Sequence, residues 1–130
     1  MLVLDASMAL DACTHADGFA PLRGHELIAP PLLWSEVRSA LHEARWRGVL
    51  SPALTAHARE VFAGAAIQRS NPPTLDAAAW AIADELGVAK TYDAEYLALA
   101  RLRDCQVVTT DARLRRGADR LGLVMGPTEL

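Results

Sequence analysis

The chain has little cysteine and no long apolar run, and each shortage excludes a class of protein. Its two cysteines, Cys13 and Cys105, are far apart and lack CxxC spacing, so neither a disulfide framework nor a zinc or thiol redox site is indicated. We expect both to be small buried side chains. No apolar stretch reaches the roughly eighteen residues of a membrane span, and Asp5 and Asp11 interrupt the region where a signal peptide would be hydrophobic. The sequence therefore predicts a cytoplasmic protein without a membrane anchor.

Lysine and net positive charge are also scarce. Lys90 is the single lysine among 13 basic residues, and the net charge of -3 argues against a general polyanion-binding surface. Arginine, however, favours bidentate contact with phosphate. Three clusters are candidates for such contact, with a solvated helix face as the alternative: Arg45/Arg47, Arg101/Arg103 and Arg113/Arg115/Arg116.

The composition and the order of the patterns predict a single α/β domain over residues 1–130. A content of 52% hydrophobic and 22% charged residues is typical of a globular chain with one core. Strand patterns at 1–4, 26–29, 67–70, 106–109 and 121–125 alternate with helical patterns, for which Ser7, Ser51 and Thr74 are expected caps and Gly48 and Gly87 expected ends. This alternation favours a mainly parallel sheet of four or five strands, covered by helices on both faces.

Two acidic residues end predicted strands. Asp5 follows residues 1–4, and Asp111 follows residues 105–110. The carboxyl ends of parallel strands are where open α/β sheets bind ligands. Since aspartate is also a favoured helix N-cap, capping is the alternative explanation for both.

Glu36 lies within the apolar stripe of the second predicted helix, beside Leu33 and Val37. A carboxylate removed from water needs a partner or a shifted pKa, because its unpaired burial costs several kcal/mol. An ion pair with Arg38 or Arg45 is one explanation. A shared site with other acids is another.

Asp93 heads the stripe of the fifth predicted helix, which continues through Tyr96 and Leu97, and we expect it to point inward. The alternative is a first-turn acid that the helix dipole favours by about 0.3–1 kcal/mol, with Thr91 as the cap.

Together these acids predict one metal site at the carboxyl edge of the sheet. At about 4 Å and an effective dielectric near 20, each like-charged pair repels by about 4 kcal/mol, so the cluster requires protonation or bound cations. Oxygen ligands select Mg²⁺ or Mn²⁺, which can activate water to hydrolyse a phosphodiester in nucleic acid. Ser7 and Thr110 could hydrogen-bond the carboxylates from outside, or only cap helices. The predicted ligands are Asp5, Glu36, Asp93 and Asp111.

Four segments match the motifs of a known family. They are LVLDAS at 2–7, SEV at 35–37 ahead of Ala40 and Leu41, YDAEYLALA at 92–100 and VTTD at 108–111 with Leu114. In these segments, and over essentially its entire length, the chain resembles a PIN-domain ribonuclease of the VapC-type toxin branch. The Tyr-Asp-Ala and Thr-Thr-Asp segments are the more specific ones.

The resemblance implies a compact α/β/α sandwich, Mg²⁺- or Mn²⁺-dependent cleavage of RNA, a homodimer and inhibition by a VapB-type antitoxin. Ser39 stands where many relatives carry asparagine, and Arg113 where some carry another acid, which bears on whether a second metal ion binds. Trp34, Trp46 and Trp80 are candidates for the antitoxin groove or the dimer surface, with core packing as the alternative. The resemblance places the family's catalytic acids on Asp5, Glu36, Asp93 and Asp111.

Three other functions are weaker alternatives. A HAD-type phosphatase requires a second aspartate two residues after the first, where this chain has Ser7. A phosphorelay receiver requires a lysine after a late strand, whereas Lys90 precedes Asp93. A catalytically silent PIN module that binds RNA or a partner protein is the third, and the presence of all four acids argues against it.

Overall fold

The computed structural model describes residues 1–130 and contains a sheet of five strands with six α-helices. The elements in chain order are β1 (Leu2–Leu4), α1 (Ala6–Thr14), β2 (Leu27–Ala29), α2 (Leu32–Trp46), α3 (Pro52–Gly64), β3 (Ile67–Arg69), α4 (Leu75–Leu86), α5 (Tyr92–Leu102), β4 (Gln106–Val108), α6 (Ala112–Ala118) and β5 (Val124–Met125). Three single-turn 3₁₀ helices lie at Ala20–Leu22, Asp119–Leu121 and Pro127–Glu129.

The sheet is entirely parallel, with strand order β3-β2-β1-β4-β5. Strand β1 is central, and Leu2 aligns with Leu27 of β2 on one side and with Gln106 of β4 on the other. Helices α1, α2 and α3 pack on one another, and α4 packs along α5. The predicted α/β/α sandwich with a parallel sheet is confirmed, and it has the larger of the two expected strand numbers.

The core is centred on β1, β4 and α5. Val3, Leu4, Val107 and Val108 are fully buried, as expected for central strands covered on both faces. Helix α5 is buried continuously from Tyr96 to Ala100. These buried elements support the carboxyl edge of the sheet. Asp5 and Asp111 are predicted to lie at this edge.

The helix ends confirm some predicted signals and correct others. Ser51 caps α3 by accepting the Leu54 N–H, and Gly87 ends α4 in the left-handed conformation at φ +69°. Ser7 does not cap α1, because the helix already begins at Ala6 and Asp5 is its cap. Thr74 precedes α4 without a side-chain capping bond.

The prediction that both cysteines are buried is correct for Cys13 and only partly correct for Cys105. Both cysteines are free thiols, Cys13 buried and Cys105 half-buried. No helix combines the length and apolar character needed to cross a membrane.

Candidate active site

The four predicted acids line a single open cleft at the carboxyl edge of the sheet. Because β1 and β4 are parallel neighbours, the residues that follow them meet at this edge, and α2 and α5 complete its walls. The cleft has a volume of about 390 Å³. The predicted acids that line it are Asp5, Glu36, Asp93 and Asp111.

Asp5 is the buried acid at the base of the cleft, with only 4% of its surface exposed. Its Oδ1 accepts the N–H of Met8 at 2.9 Å, and the hydroxyls of Ser7 and Thr109 also donate to the carboxylate. Burial raises the pKa of Asp5, the hydrogen bonds oppose that rise, and the nearby Asp111 adds to it. The carboxylate is therefore held in one orientation and is electrostatically costly when ionised.

Two hydroxyls join the ends of β1 and β4 through Asp5. The Ser7 hydroxyl donates to Asp5 and accepts the backbone N–H of Thr110 at 3.1 Å. The Thr109 hydroxyl also donates to Asp5, and it accepts the backbone N–H of Asp111 at 3.0 Å. Each hydroxyl thus acts as donor and acceptor at once, which fixes the two aspartate-bearing segments relative to each other.

The threonine in this network is Thr109 and not Thr110, which corrects the prediction from sequence. Thr109 is buried with 2% exposure, whereas the Thr110 side chain is exposed and makes no hydrogen bond. Adjacent residues near a strand end point to opposite faces, so a difference of one position reverses the direction of the side chain. Ser7 lies beside Asp5 as predicted.

Replacing Thr109 by valine should destabilise the protein by about 1–3 kcal/mol, because the change is nearly isosteric and leaves the Asp111 N–H without its acceptor. Thr110→Val is the matched control and should change the free energy of unfolding by less than about 0.5 kcal/mol. Urea denaturation of both variants measures the difference. Equal stabilities of the two variants would show that the Thr109 hydroxyl does not hold the strand ends together.

Glu36 is half-buried on α2 and is held by a tyrosine. The Tyr96 hydroxyl donates to Glu36 Oε2 at 3.2 Å, and no ion pair forms with Arg38 or Arg45. Burial raises the pKa of Glu36, the Tyr96 hydrogen bond opposes the rise, and Asp93 adds to it. The ion-pair explanation for this residue is therefore wrong.

Asp93 lies on the rim of the cleft and is exposed. It lines the cleft shared with the other acids, as the predicted site requires, but it does not pack inward with the buried residues of its helix. The buried face of α5 begins with Ala94. Partial desolvation in the cleft wall and the charge of Asp111 raise the pKa of Asp93, and Arg113 opposes this rise. Thr91 provides no side-chain cap, which leaves Asp93 as a first-turn acid at the N-terminus of α5.

Asp111 combines the two roles that the sequence left open. Its Oδ1 accepts the N–H of Arg113 at 2.9 Å and that of Leu114 at 3.2 Å, which caps α6. Asp5 caps α1 in the same way. Capping and cleft lining therefore occur in the same two residues, because each helix starts where a central strand ends.

Two cleft residues were not singled out in the sequence. Glu43 lies on the cleft wall, seven positions after Glu36, where it also pairs with Arg47 at 2.7 Å. Tyr96 follows Asp93 by three positions and is buried. Both could have been found from helical spacing, because Glu43 is at i+7 from Glu36 and Tyr96 is at i+3 from Asp93, which places each on the same helix face as the predicted acid. Ser39 also lines the cleft.

The donor set suits a hard divalent cation, although the side chains do not form a ready-made cage. No group of three or more carboxylate, imidazole or thiolate side chains is arranged to hold a metal ion. Asp5, Glu36 and Asp111 are each engaged by protein donors instead. The cleft is lined by carboxylates without histidine or cysteine, which is the chemistry that Mg²⁺ and Mn²⁺ prefer.

The tryptophans lie outside this cleft. Trp34 is partly buried, with its ring centroid 6.3 Å from that of Phe62 and 4.4 Å from the Arg69 guanidinium carbon. Trp46 and Trp80 are 81% and 68% exposed, so core packing does not account for either. Both remain candidates for a surface that a partner covers.

Comparisons with known proteins give a consistent result. The family model described as PIN domain matches residues 2–120. The chain is 35% identical over 116 residues to VapC ribonuclease Mb0985 of Mycobacterium bovis and to Ribonuclease VapC9 of Mycobacterium tuberculosis, covering 88% of this chain and 88% of each relative. The crystal structure of PAE2754 from Pyrobaculum aerophilum superposes with a TM-score of 0.73 at 24% identity, covering 98% of this chain and 84% of that one.

Proposed function

The chain belongs to the PIN-domain family, with VapC ribonucleases among its relatives, and we propose that it is a toxin endoribonuclease that hydrolyses RNA phosphodiester bonds using divalent metal ions. The observation that carries this proposal is the convergence of four carboxylates on one cleft, three of them with raised pKa values. Raised pKa values mean that ionising these carboxyl groups costs free energy, and a bound cation would offset that cost.

Each acid has a distinct part in this proposal. Asp5 and Asp111, fixed by hydrogen bonds at the strand ends, would hold the cation from the sheet side. Glu36 and Asp93 would hold it from the helices, and Tyr96 keeps Glu36 turned toward the cleft. Mg²⁺ or Mn²⁺ held by these four acids would supply an activated water and neutralise charge on the leaving oxygen.

We also propose the partners that the family resemblance implies. These are an RNA substrate, a VapB-type antitoxin and a second copy of the chain, all in the cytoplasm. An arginine supplied by the antitoxin would suit the acidic cleft, because a guanidinium can replace the cation and pair with a carboxylate in bidentate fashion. The exposed Trp46 and Trp80 are candidate contacts for one of the protein partners.

The direct test is cleavage of a structured RNA by purified protein freed of its antitoxin. We expect cleavage with Mg²⁺ or Mn²⁺ and none with EDTA, since the carboxylates alone do not activate water. At a metal concentration of 100 times the Kd, binding should also stabilise the fold by about 2.7 kcal/mol. RNA binding without cleavage under any of these conditions would favour a catalytically silent PIN module.

A further inference from the structure

A second cavity of about 330 Å³ adjoins the acidic cleft and shares Asp93 with it. Its apolar lining comes from Leu86 and Val88 at the end of α4 and from Leu114 of α6, and its charged groups besides Asp93 are Lys90 and Arg113. The volume lies within the range of about 300–1,000 Å³ that is typical of small-molecule sites. An apolar lining with two cations is the opposite of the neighbouring cleft, which is lined by acids.

The two cations of this cavity are not used by the protein's own ion pairs. Arg47, Arg101 and Arg115 pair with glutamates elsewhere, whereas Lys90 and Arg113 take part in no salt bridge and donate no side-chain hydrogen bond. Arg113 does interact with the charge of Asp93 across this cavity, but neither cation is held in an ion pair. Positive side chains that form no ion pair, beside a site for phosphodiester chemistry, are complementary to the RNA backbone.

Gly117 lines this cavity and is itself exposed. It lies within α6, and a Cβ added there would meet no atom within 4 Å. Glycine inside a helix costs about 0.5–1 kcal/mol relative to alanine, and no close packing contact or positive φ requires it here. The space beside Gly117 is therefore available to a ligand.

We propose that this cavity is a subsite for one nucleotide of the RNA substrate, adjacent to the phosphodiester that is cut. Lys90 and Arg113 contact the phosphate of that nucleotide, and its base lies on the aliphatic surface formed by Leu86, Val88 and Leu114. The proposal rests on the proposed ribonuclease function. Because the lining offers few hydrogen-bonding groups to a base edge, the subsite should discriminate between bases weakly and by size.

Binding of a short single-stranded RNA in EDTA tests the subsite separately from catalysis, since no metal-dependent cleavage occurs there. Lys90→Gln should weaken binding by about 3- to 10-fold and reduce the slope of log K against log salt by about 0.7, as expected for one lost phosphate contact on a single strand. Arg23→Gln is the matched control. It removes one positive charge from an exposed position before the amino end of β2, whereas the cavity lies beside the cleft at the carboxyl ends of the strands. Neither the RNA affinity nor its salt dependence should change appreciably.

A second pair of variants tests the cavity itself without changing its charge. Gly117→Leu should fill the space and weaken RNA binding by at least about 10-fold, whereas Gly117→Ala should bind within about twofold of the original protein. Thermal denaturation should show that both variants remain folded, because leucine and alanine are better helix formers than glycine. In cleavage assays with metal, Gly117→Leu should raise KM more than it lowers kcat.

The outcomes separate the two proposals. Unchanged RNA affinity in both Lys90→Gln and Gly117→Leu would overturn the subsite, even if the original protein cleaves RNA normally. Weakened binding in both variants, with no cleavage by the original protein in Mg²⁺ or Mn²⁺, would support nucleotide binding in this cavity and overturn the catalytic proposal, and with it the position of the cavity beside a cut phosphodiester.

Discussion

Asp5→Asn should lower the rate of RNA cleavage by more than about 100-fold and leave the protein folded. Loss of groups that only orient metal ligands typically costs about 10- to 100-fold, and a ligand itself should cost more. The amide oxygen of asparagine can still accept the Met8 N–H and cap α1. What is lost is the negative charge at the base of the cleft and the Oδ2 acceptor of the Thr109 hydroxyl. Cleavage rates at saturating Mg²⁺, with circular dichroism of both proteins, provide the measurement.

Asp84→Asn is the control for this experiment. Asp84 is exposed on α4 and lies outside the cleft, so the same chemical change should leave the cleavage rate within about twofold of the original. If Asp5→Asn cuts RNA as fast as Asp84→Asn does, the acids at the sheet edge are not the catalytic site.

Glu36→Gln should have opposite effects on activity and on stability. We expect cleavage to fall by more than about 100-fold, as for Asp5→Asn, because a proposed metal ligand loses its charge. Without metal at neutral pH, the free energy of unfolding should rise by about 0.5–1 kcal/mol, since burial and the neighbouring acids disfavour the charged form of Glu36. Glutamine keeps an acceptor for the Tyr96 hydroxyl, so packing is preserved. Glu60→Gln, an exposed change on α3, is the control.

The pH dependence identifies the cause of that stability gain. A carboxyl whose pKa is raised on folding binds its proton more tightly in the folded state, so folded-state stability falls as pH rises from the unfolded pKa, near 4.5, through the raised value. The penalty is complete above that range and absent below it. The advantage of Glu36→Gln over the original protein should therefore be largest at pH 7, shrink as the pH falls through the raised pKa, and be absent below about pH 4. Denaturation in EDTA at both pH values measures this, and an advantage independent of pH would point to packing instead.

Much of the fold follows from the sequence by simple physical rules. The short aliphatic segments before Asp5 and Asp111 are strands because they are buried on both faces, and the alternation with helices makes the sheet parallel. Glu36 was identifiable because an acid within an apolar stripe has to face a partner or a cleft. These features depend on local pattern and on connection rules, which a single sequence contains.

The sequence pattern does not specify in which direction each side chain of the site points. Whether Thr109 or Thr110 faces Asp5 is decided by where β4 ends, and predicted boundaries are uncertain by more than one residue. The helical pattern predicts that Asp93 points inward, because it is on the same stripe as Tyr96. It lies in the first turn of α5, however, where the helix is not yet within the core. Its exposure reflects the position of the helix end and not the periodicity.

The central position of β1 determines when the proposed site can exist during synthesis. Strand β1 is made first, but its neighbour β4 follows about a hundred residues later, and Asp5 receives the Thr109 hydrogen bond only when that pairing forms. Contacts between such distant segments form late and slow the folding of a chain. A nascent chain on the ribosome therefore carries Asp5, Glu36 and Asp93 without an assembled cleft. Any toxicity would begin only after translation has passed β4, when the antitoxin must already be present.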